Sequence, residues 1–173
     1  VTYVAHMEDS GSGTGLYYVD KSMKLHKHPA SVVGTYANRI IHGPRNELLI
    51  GPHVIDVKGN VRTIEALVPH RLAATMLHLT DPENKVYYLA MEGEFFEVDL
   101  RTLEVTELFQ LMNELNVPEK SKPHFKDAYT IGNRVVVANN SYAKNDYKGD
   151  WAAGRLAEWD GKTWTVLEET AFT

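Results

Sequence analysis

The segment Phe95-Phe-Glu-Val-Asp99, followed by Leu100-Arg-Thr-Leu-Glu-Val105, decides the predicted fold. It has the pattern of a strand that ends in aspartate, then a tight turn, then a second strand that begins apolar. The same pattern recurs at Leu16–Leu25, Val54–Val61 and Leu156–Val166. The four aspartates, Asp20, Asp56, Asp99 and Asp160, are spaced by 36, 43 and 61 residues. Because propeller blades recur at about 40 to 50 residues, this repeat predicts a β-propeller.

Short strand patterns separated by turn residues fill most of the remaining sequence. The best helical stretch, Glu107–Leu115, is closely followed by Pro118 and predicts one or two helical turns at most. A polar insertion at Ser141–Asp150 is expected to account for the longest spacing. The predicted fold class is therefore all-β, with residues 1–173 forming a single partial propeller domain of about four four-stranded blades.

Four blades are few for a closed propeller, and an open stack of blades leaves faces and strand edges uncovered. Two chains could close one ring, or the chain could be the major part of a larger propeller. The N-terminal Val1-Thr-Tyr-Val-Ala5 begins as though inside a strand, and the chain stops at Thr170-Ala-Phe-Thr173 without a polar tail. Both ends favour the second interpretation, a piece of a longer chain.

Composition excludes several classes of function. A chain of 173 residues with 43% hydrophobic and 24% charged residues is typical of a globular domain. Its net charge of -5 gives no basic footprint for nucleic acid, and no apolar run is long enough to span a membrane. The absence of cysteine excludes thiolate nucleophiles, Cys-ligated zinc and disulfides. No cofactor is predicted.

The candidate site lies where the innermost strands of a propeller converge. These strands are predicted near 37–42, 73–79 and 124–131, and they carry more histidine and arginine than apolar strands usually do. Histidine can transfer protons near neutral pH, and cationic side chains bind carboxylates. The predicted catalytic residues are His124, His42 and His78, and the predicted substrate-binding residues are Arg39, Arg71, Lys126, Asn38 and Tyr129.

Each of these residues also fits a structural role. A histidine in a strand is often a hydrogen-bonded core residue, Arg39 could bridge blades through backbone carbonyls, and Tyr129 could be a packing residue. His26 and His28 share one strand face and could hold a metal, but no third ligand is evident and lysines flank them, so no metal site is predicted. The loop with Tyr142, Tyr147 and Trp151 could stack on sugars or pack on itself.

The sequence resembles a group of bacterial seven-bladed propellers that act on plant polysaccharides. The resemblance runs from about Gly34 to Thr173 and rests on several motifs: Ala37–His42, Ile50–Arg62, His78–Tyr88, Met91–Asp99, His124–Tyr129, Arg134–Asn140 and Leu156–Trp164. The group includes rhamnosidases and polysaccharide lyases that cleave the linkage between rhamnose and glucuronate.

The resemblance implies a seven-bladed ring of which this chain holds about four blades, in an extracytoplasmic (periplasmic or secreted) bacterial protein that acts on glycans. It also implies a single catalytic histidine at the propeller centre, for which His124 is the best match. The group usually reads His-Gly-Lys-Gly at that point, whereas this chain has Phe125 and Asp127 in place of the two glycines. Bulky residues at these positions put the shape of the pocket in question.

Two functions follow. The first is a glycoside hydrolase or polysaccharide lyase acting on a uronate-containing oligosaccharide or polysaccharide. The alternative is a non-catalytic propeller scaffold that binds glycan or protein. A truncated fragment in which no site is complete is a third possibility. Self-association, or a missing remainder of the propeller, is the expected protein partner.

Overall fold

The computed structural model describes residues 2–7, 14–32, 40–117, 121–143 and 154–170. Within these ranges the chain is almost entirely β-structure, as the sequence predicts. Fifteen described strands form one three-stranded and three four-stranded antiparallel sheets. In every sheet, strands that follow one another in sequence lie side by side, which is the meander arrangement of a propeller blade. The prediction of an all-β fold built from blades is confirmed.

The chain divides into two compact units, Val1–Leu72 and Ala73–Thr173. The first unit contains a three-stranded sheet and a four-stranded sheet. Its strands are β1 (Thr2–Met7), β2 (Thr14–Val19), β3 (Leu25–Val32), β4 (Ile40–His42), β5 (Leu48–Ile50), β6 (His53–Ile55) and β7 (Val61–Thr63), followed by a 3₁₀ turn at Glu65–Leu67. A small core of Leu16, Ile50 and Ile55 joins the two sheets.

The second unit contains two four-stranded sheets joined by a short helix. One sheet holds β8 (Leu72–Leu77), β9 (Lys85–Ala90), β10 (Glu94–Asp99) and β11 (Val105–Gln110). Helix α1 (Leu111–Glu114) then leads to the other sheet, which holds β12 (Ser121–Ile131), β13 (Arg134–Ala143), β14 (Gly154–Trp159) and β15 (Trp164–Thr170).

All four aspartate turns form, and each closes the last hairpin of its sheet. In each turn the carboxylate accepts a hydrogen bond from the backbone N–H two residues later, at 2.8 Å for Asp20, Asp56 and Asp99 and 2.9 Å for Asp160. A second backbone N–H donates to the same oxygen in three of them, from Lys24, Asn60 and Thr163. The repeat found in the sequence is therefore a repeated hydrogen-bonded structure.

The turns also share a residue in the left-handed region of backbone space. It is Gly59 in the Asp56 turn (φ 85°) and Gly161 in the Asp160 turn (φ 92°), where the missing Cβ avoids a steric penalty. Met23 (φ 63°) and Leu103 (φ 64°) are the left-handed residues of the other two turns, so the place of this residue varies from one to four positions after the aspartate. Side chains at these places are strained, so the aspartate hydrogen bonds must offset a local cost.

The core of the second unit lies between its two sheets. One sheet contributes Tyr87, Leu89 and Phe95, and the other contributes Phe125 and Trp159, all buried. The Trp159 ring meets those of Tyr87 and Phe95 edge-on, with ring centroids 5.5 and 5.9 Å apart. Such edge-to-face contacts add specific geometry to the burial of large apolar surfaces.

Three details differ from the sequence patterns. Strand β3 (Leu25–Val32) is rich in His and Lys and contains Pro29, and β7 (Val61–Thr63) is largely exposed, so neither shows an apolar alternation. The predicted helix within 107–115 is confined to α1, because β11 continues to Gln110 through pairing with β10. The predicted polar insertion at Ser141–Asp150 begins inside β13, which extends to Ala143, and residues 144–153 lie outside the described residues.

Among the described residues, no helix is long and apolar enough to cross a membrane.

The aspartate turns predict a loss of stability in acid. The Arg101 guanidinium and backbone N–H hold the pKa of Asp99 well below its usual range, and hydrogen bonds lower the pKa of Asp20, Asp56 and Asp160 as well. A carboxylate whose folded pKa is lowered stabilises the fold fully above its unfolded pKa, near pH 4, and progressively less as the pH falls below it. We expect Asp99→Asn to lower the urea midpoint at pH 7 and to make its decline between about pH 5 and pH 2 shallower.

The matched control for this prediction is Glu104→Gln, an exposed carboxyl in the same hairpin. Urea unfolding followed by circular dichroism at a series of pH values measures both effects. An Asp99→Asn profile parallel to that of the wild type would contradict the role given to this carboxylate.

The turn between β9 and β10 predicts a position that tolerates only glycine. Gly93 has φ 103°, and a Cβ there would lie 2.5 Å from Gln110 Oε1 and 2.9 Å from Phe125 Cε2. We expect Gly93→Ala to destabilise the protein by about 2–4 kcal/mol, the sum of backbone strain and overpacking. Gly132→Ala is the control, because Gly132 has φ 59° and open space around it, and we expect it to cost only about 1 kcal/mol. Equal losses in thermal unfolding would rule out the steric explanation.

Candidate functional site

His78 follows directly after β8, and both nitrogens of its ring are engaged. Nδ1 accepts hydrogen bonds from the backbone N–H groups of Asp81, at 2.9 Å, and Thr80, at 3.2 Å. Because Nδ1 accepts, the ring proton of the neutral form lies on Nε2, which donates to Glu97 Oε2 at 2.8 Å. The ring is 7% exposed and packs on Tyr87, with centroids 4.4 Å apart. These hydrogen bonds show that the His78 side chain stabilises the turn between β8 and β9.

Glu97 joins His78 to a lysine on the neighbouring strand. Its other carboxylate oxygen accepts from Lys85 Nζ at 2.5 Å. Burial favours the neutral form of Glu97, but the hydrogen bonds from Lys85 and His78 outweigh burial, so its pKa lies below the usual range. Burial also raises the pKa of the adjacent Tyr87 to about 12. The cluster is a charged, hydrogen-bonded support beside the aromatic core.

His124, Lys126 and Tyr129 lie together on β12, the first strand of its sheet. His124 is half-buried, Lys126 is exposed and Tyr129 is 50% exposed, whereas the intervening Phe125 and Ala128 are buried in the core. The pairing of β12 with β13 shifts between Phe125 and Asp127, so Lys126 is the extra residue of a β-bulge. Bulges redirect side chains and are common beside active sites.

His124 and His78 lie at opposite ends of the second unit. Strands β8 and β12 run in the same direction. Near the ends of both strands, Thr130 Oγ1 donates to the carbonyl of Leu77 at 2.6 Å, and near the start of β12 the Phe125 N–H donates to the carbonyl of Met91, which directly follows β9, the neighbour of β8. His78 directly follows Leu77, whereas His124 lies six residues before Thr130, or about 20 Å along an extended strand. The two histidines therefore do not share one site.

The remaining predicted residues belong to the first unit or lie outside the described residues. His42 is exposed at the end of β4, opposite Leu48. Arg71 is half-buried just before β8. Asn38 and Arg39 lie outside the described residues, as does the aromatic loop with Tyr147 and Trp151. Their convergence on one axis stays a prediction.

The sequence patterns missed two buried polar residues, Asn139 and Arg155. They pair across β13 and β14 on the core-facing side of the sheet, in one row with Phe125 and Glu169. Asn139 Oδ1 accepts the backbone N–H of Arg155 at 2.8 Å, and Arg155 Nε lies 3.6 Å from Glu169 Oε1. Both interrupt an apolar alternation, Val135-x-Val137-x-Asn139 and Arg155-x-Ala157-x-Trp159, and that interruption is the signal that could have found them.

His26 belongs to the first aspartate turn. Its Nε2 lies 2.7 Å from Asp20 Oδ2, and its ring stacks on Tyr18 with centroids 5.0 Å apart. His28, two residues further along, is buried, and burial lowers its pKa. Within the described residues no group of three or more His, Asp or Glu side chains is placed to hold a metal ion.

The chain is similar in fold to two solved structures of virginiamycin B lyase from Staphylococcus aureus. The selenomethionine-substituted enzyme matches with a TM-score of 0.54 and 10% identity over 91% of this chain and 51% of that one. A catalytically inactive histidine-to-alanine variant with quinupristin matches with a TM-score of 0.52 and 13% identity over 94% of this chain and 58% of that one. The chain thus spans about half the length of these structures.

These matches support a propeller-like fold for the chain. No protein-family description matches the sequence, and no curated protein is similar to it. The predicted membership of the rhamnosidase and polysaccharide lyase group is not confirmed.

The His78 cluster predicts a loss of stability on mutation. Replacing His78 with alanine leaves the backbone N–H groups of Thr80 and Asp81 without an acceptor and Glu97 Oε2 without its donor. We expect His78→Ala to destabilise the protein by about 2–4 kcal/mol, as for other broken buried hydrogen-bond networks. His42→Ala, at an exposed strand end, should cost less than about 0.5 kcal/mol. Chemical denaturation of the two variants measures the difference, and similar midpoints would refute the structural role of His78.

Proposed function

We propose that this chain is part of a propeller enzyme that cleaves a uronate-containing polysaccharide by elimination, with His124 as the base. The observation that carries the proposal is the position of His124. It lies half-buried on the first strand of its sheet, two residues before an exposed lysine that a bulge presents. The fold likeness to a lyase with an inactive histidine-to-alanine variant supports a histidine-dependent propeller enzyme.

Elimination needs a base and a cation near each other. His124 would take the proton from C5 of the uronate, while Lys126 neutralises the carboxylate as negative charge develops beside C5. The bond between C4 and the linking oxygen then breaks, a C4=C5 double bond forms, and the leaving oxygen takes up a proton. The reaction needs no water and no co-reactant, and the proton removed from C5 balances the one gained by the leaving group.

The distances between residues along β12 indicate which side chains could contact the same sugar. His124 and Lys126 are two positions apart, so their Cα atoms are about 7 Å apart and both side chains can reach one sugar. Tyr129 is five positions from His124, about 17 Å along an extended strand, so its ring would contact a neighbouring sugar of the same polysaccharide. Arg39 and Arg71 remain further candidates for carboxylate binding.

The resemblance to rhamnosidases and polysaccharide lyases supports the polysaccharide substrate. It also supports the extracytoplasmic bacterial location, which remains a prediction. The competing function is a non-catalytic propeller that binds glycan. The half-exposed ring of Tyr129 favours it, because an exposed aromatic ring offers a flat apolar surface against which a sugar can pack.

The experiment that tests the proposal uses polysaccharides containing rhamnose and glucuronate. Elimination leaves an unsaturated uronate whose conjugated double bond absorbs ultraviolet light, so its formation can be followed directly. We expect His124→Ala to lower kcat at least 100-fold, because a positioned base contributes about 10²–10⁴-fold. Lys126→Met should lower kcat/KM as well, whereas Lys162→Met, an exposed lysine in the Asp160 turn, should leave it unchanged.

Thermal unfolding of each variant separates loss of activity from loss of fold. Products without the C4=C5 double bond would show that the protein cleaves by hydrolysis and would contradict elimination. Full turnover in a folded His124→Ala protein would remove the catalytic assignment. Binding of the polysaccharide by the wild type without any cleavage would favour the scaffold.

A further inference from the structure

The β-bulge in β12 changes the side of the sheet on which Asp127 lies. In a regular strand, residues three positions apart face opposite sides of the sheet, as His124 and Asp127 otherwise would. In β12, however, His124 lies opposite Asn140 of β13. Asp127 lies opposite Ala138, which is only two residues away on β13. The extra residue of the bulge, Lys126, therefore brings Asp127 to the same side as His124.

The side that His124 and Asp127 share is the one away from the aromatic core. Phe125 and its partner Asn139 occupy the core-facing row between them, and both are buried. His124 and Asp127 are each half-buried. Because their partners on β13 are two residues apart, the Cα atoms of His124 and Asp127 are separated by about 7 Å. An imidazole and a carboxylate at that separation can form a hydrogen bond.

The nearest other charged groups come from β12 itself and from the turn between β9 and β10. Lys126, on β12, is exposed. The turn packs against the start of β12 through the 3.0 Å hydrogen bond from the Phe125 N–H to the Met91 carbonyl. This bond joins the peptide groups next to half-buried Glu92 and to His124, so the Cα atoms of those two residues lie within about 8 Å.

Carboxylates hold two other histidine rings of this chain. Nε2 of His78 donates to Glu97 at 2.8 Å, and Nε2 of His26 lies 2.7 Å from Asp20 Oδ2. A carboxylate that accepts the hydrogen of one ring nitrogen fixes the tautomer, so the other nitrogen is unprotonated and can act as a base. It also favours the protonated ring, which makes the imidazole a stronger base.

We propose that Asp127 is the positioning residue of His124. Its carboxylate accepts the hydrogen on one ring nitrogen and leaves the other nitrogen to remove the proton from C5 of the uronate. The ring then becomes an imidazolium, and Asp127 stabilises that charge without taking the proton itself. Exposed Lys126 binds the substrate carboxylate, while half-buried Asp127 holds the histidine. The catalytic part of this inference rests on the proposed function, whereas the pairing of the two side chains does not.

Proton NMR titration of the histidine rings measures the pairing without any substrate. The signal of His124 is identified by its absence in His124→Ala. We expect Asp127→Asn to lower the pH midpoint of the His124 titration by about 1, because a neutral amide no longer favours the protonated ring. The amide oxygen can still accept the Ala128 N–H, which Asp127 Oδ1 accepts at 3.0 Å. Asp127→Glu keeps the charge and should restore most of the wild-type midpoint.

Two matched controls remove other carboxylates. Glu168→Gln alters an exposed residue on the same side and in the same row as Asp127, but three strands away, at about 14 Å. It should leave the midpoint unchanged. Arg134 and Glu158 lie on this side as well but form an ion pair with each other. Glu92→Gln tests the neighbouring turn and should shift the midpoint less than Asp127→Asn does.

Activity on the polysaccharide gives a second readout. Asp127→Asn should lower kcat at least roughly tenfold, because a base that is no longer oriented loses part of its contribution. The acid limb of kcat/KM should move to lower pH together with the NMR midpoint, because a less basic ring stays neutral to lower pH. A purely structural role of Asp127 would lower activity without moving this limb.

An unchanged His124 midpoint in folded Asp127→Asn would overturn the pairing, and so would an equal shift in Glu168→Gln. A larger shift in Glu92→Gln would assign the carboxylate partner to the neighbouring turn instead. If Asp127→Asn does not fold, Asp127→Ser provides a second neutral substitution with the same expected shift. Full turnover in His124→Ala would refute the proposed function, and the NMR titration would still decide the pairing.

Discussion

The packing of two sheet faces through Trp159, Tyr87 and Phe95 is the contact on which the second unit depends. It sets the direction of β12 against β8, and this direction determines which end of the unit each polar side chain occupies. Phe125 belongs to the same core, and its backbone N–H donates to the carbonyl of Met91 at 3.0 Å. His124, its neighbour in sequence, is therefore held in place by the core even though its own side chain is on the other side of the strand.

The two histidines of this unit show how one residue type takes two roles. Both ring nitrogens of His78 are hydrogen-bonded, Nε2 to Glu97 and Nδ1 to the backbone N–H of Asp81, and its ring contacts Tyr87 of the aromatic core. A ring so engaged is well placed to define a turn and poorly placed to exchange protons with a substrate. His124 is half-buried on β12, two residues before the bulge at Lys126. The difference comes from tertiary position and not from the local sequence.

The sequence predicted the fold through features that are local. The aspartate turns could be recognised because each one is completed by residues within five positions of the aspartate. Strands β3 and β7 were predicted only through the strand that follows each aspartate turn, because their own residues show no apolar alternation. Asn139 and Arg155 were missed because a polar residue on a core-facing position looks like the end of a strand.

The site was harder to predict, for a physical reason. A strand pattern identifies the inner strands but not which end of each strand lies near which end of its neighbour. His78 and His124 both fall in predicted inner strands, and the contacts of Thr130 with Leu77 and of Phe125 with Met91 show that they lie far apart. Lys126 was identified from its place near His124, but the bulge that exposes it depends on the pairing of Phe125 and Asp127 with β13.

The four aspartate turns have a consequence for the order of folding. Each closes a hairpin whose two strands are separated by only a few residues, and hairpins of this kind form in about 1–10 μs, long before distant strands meet. The hairpins of every sheet, including the β12–β13 hairpin, can thus assemble early and independently, while the packing of one sheet on another needs long-range contacts. The same repeated turn that reveals the architecture also divides its assembly into small, separately nucleated steps.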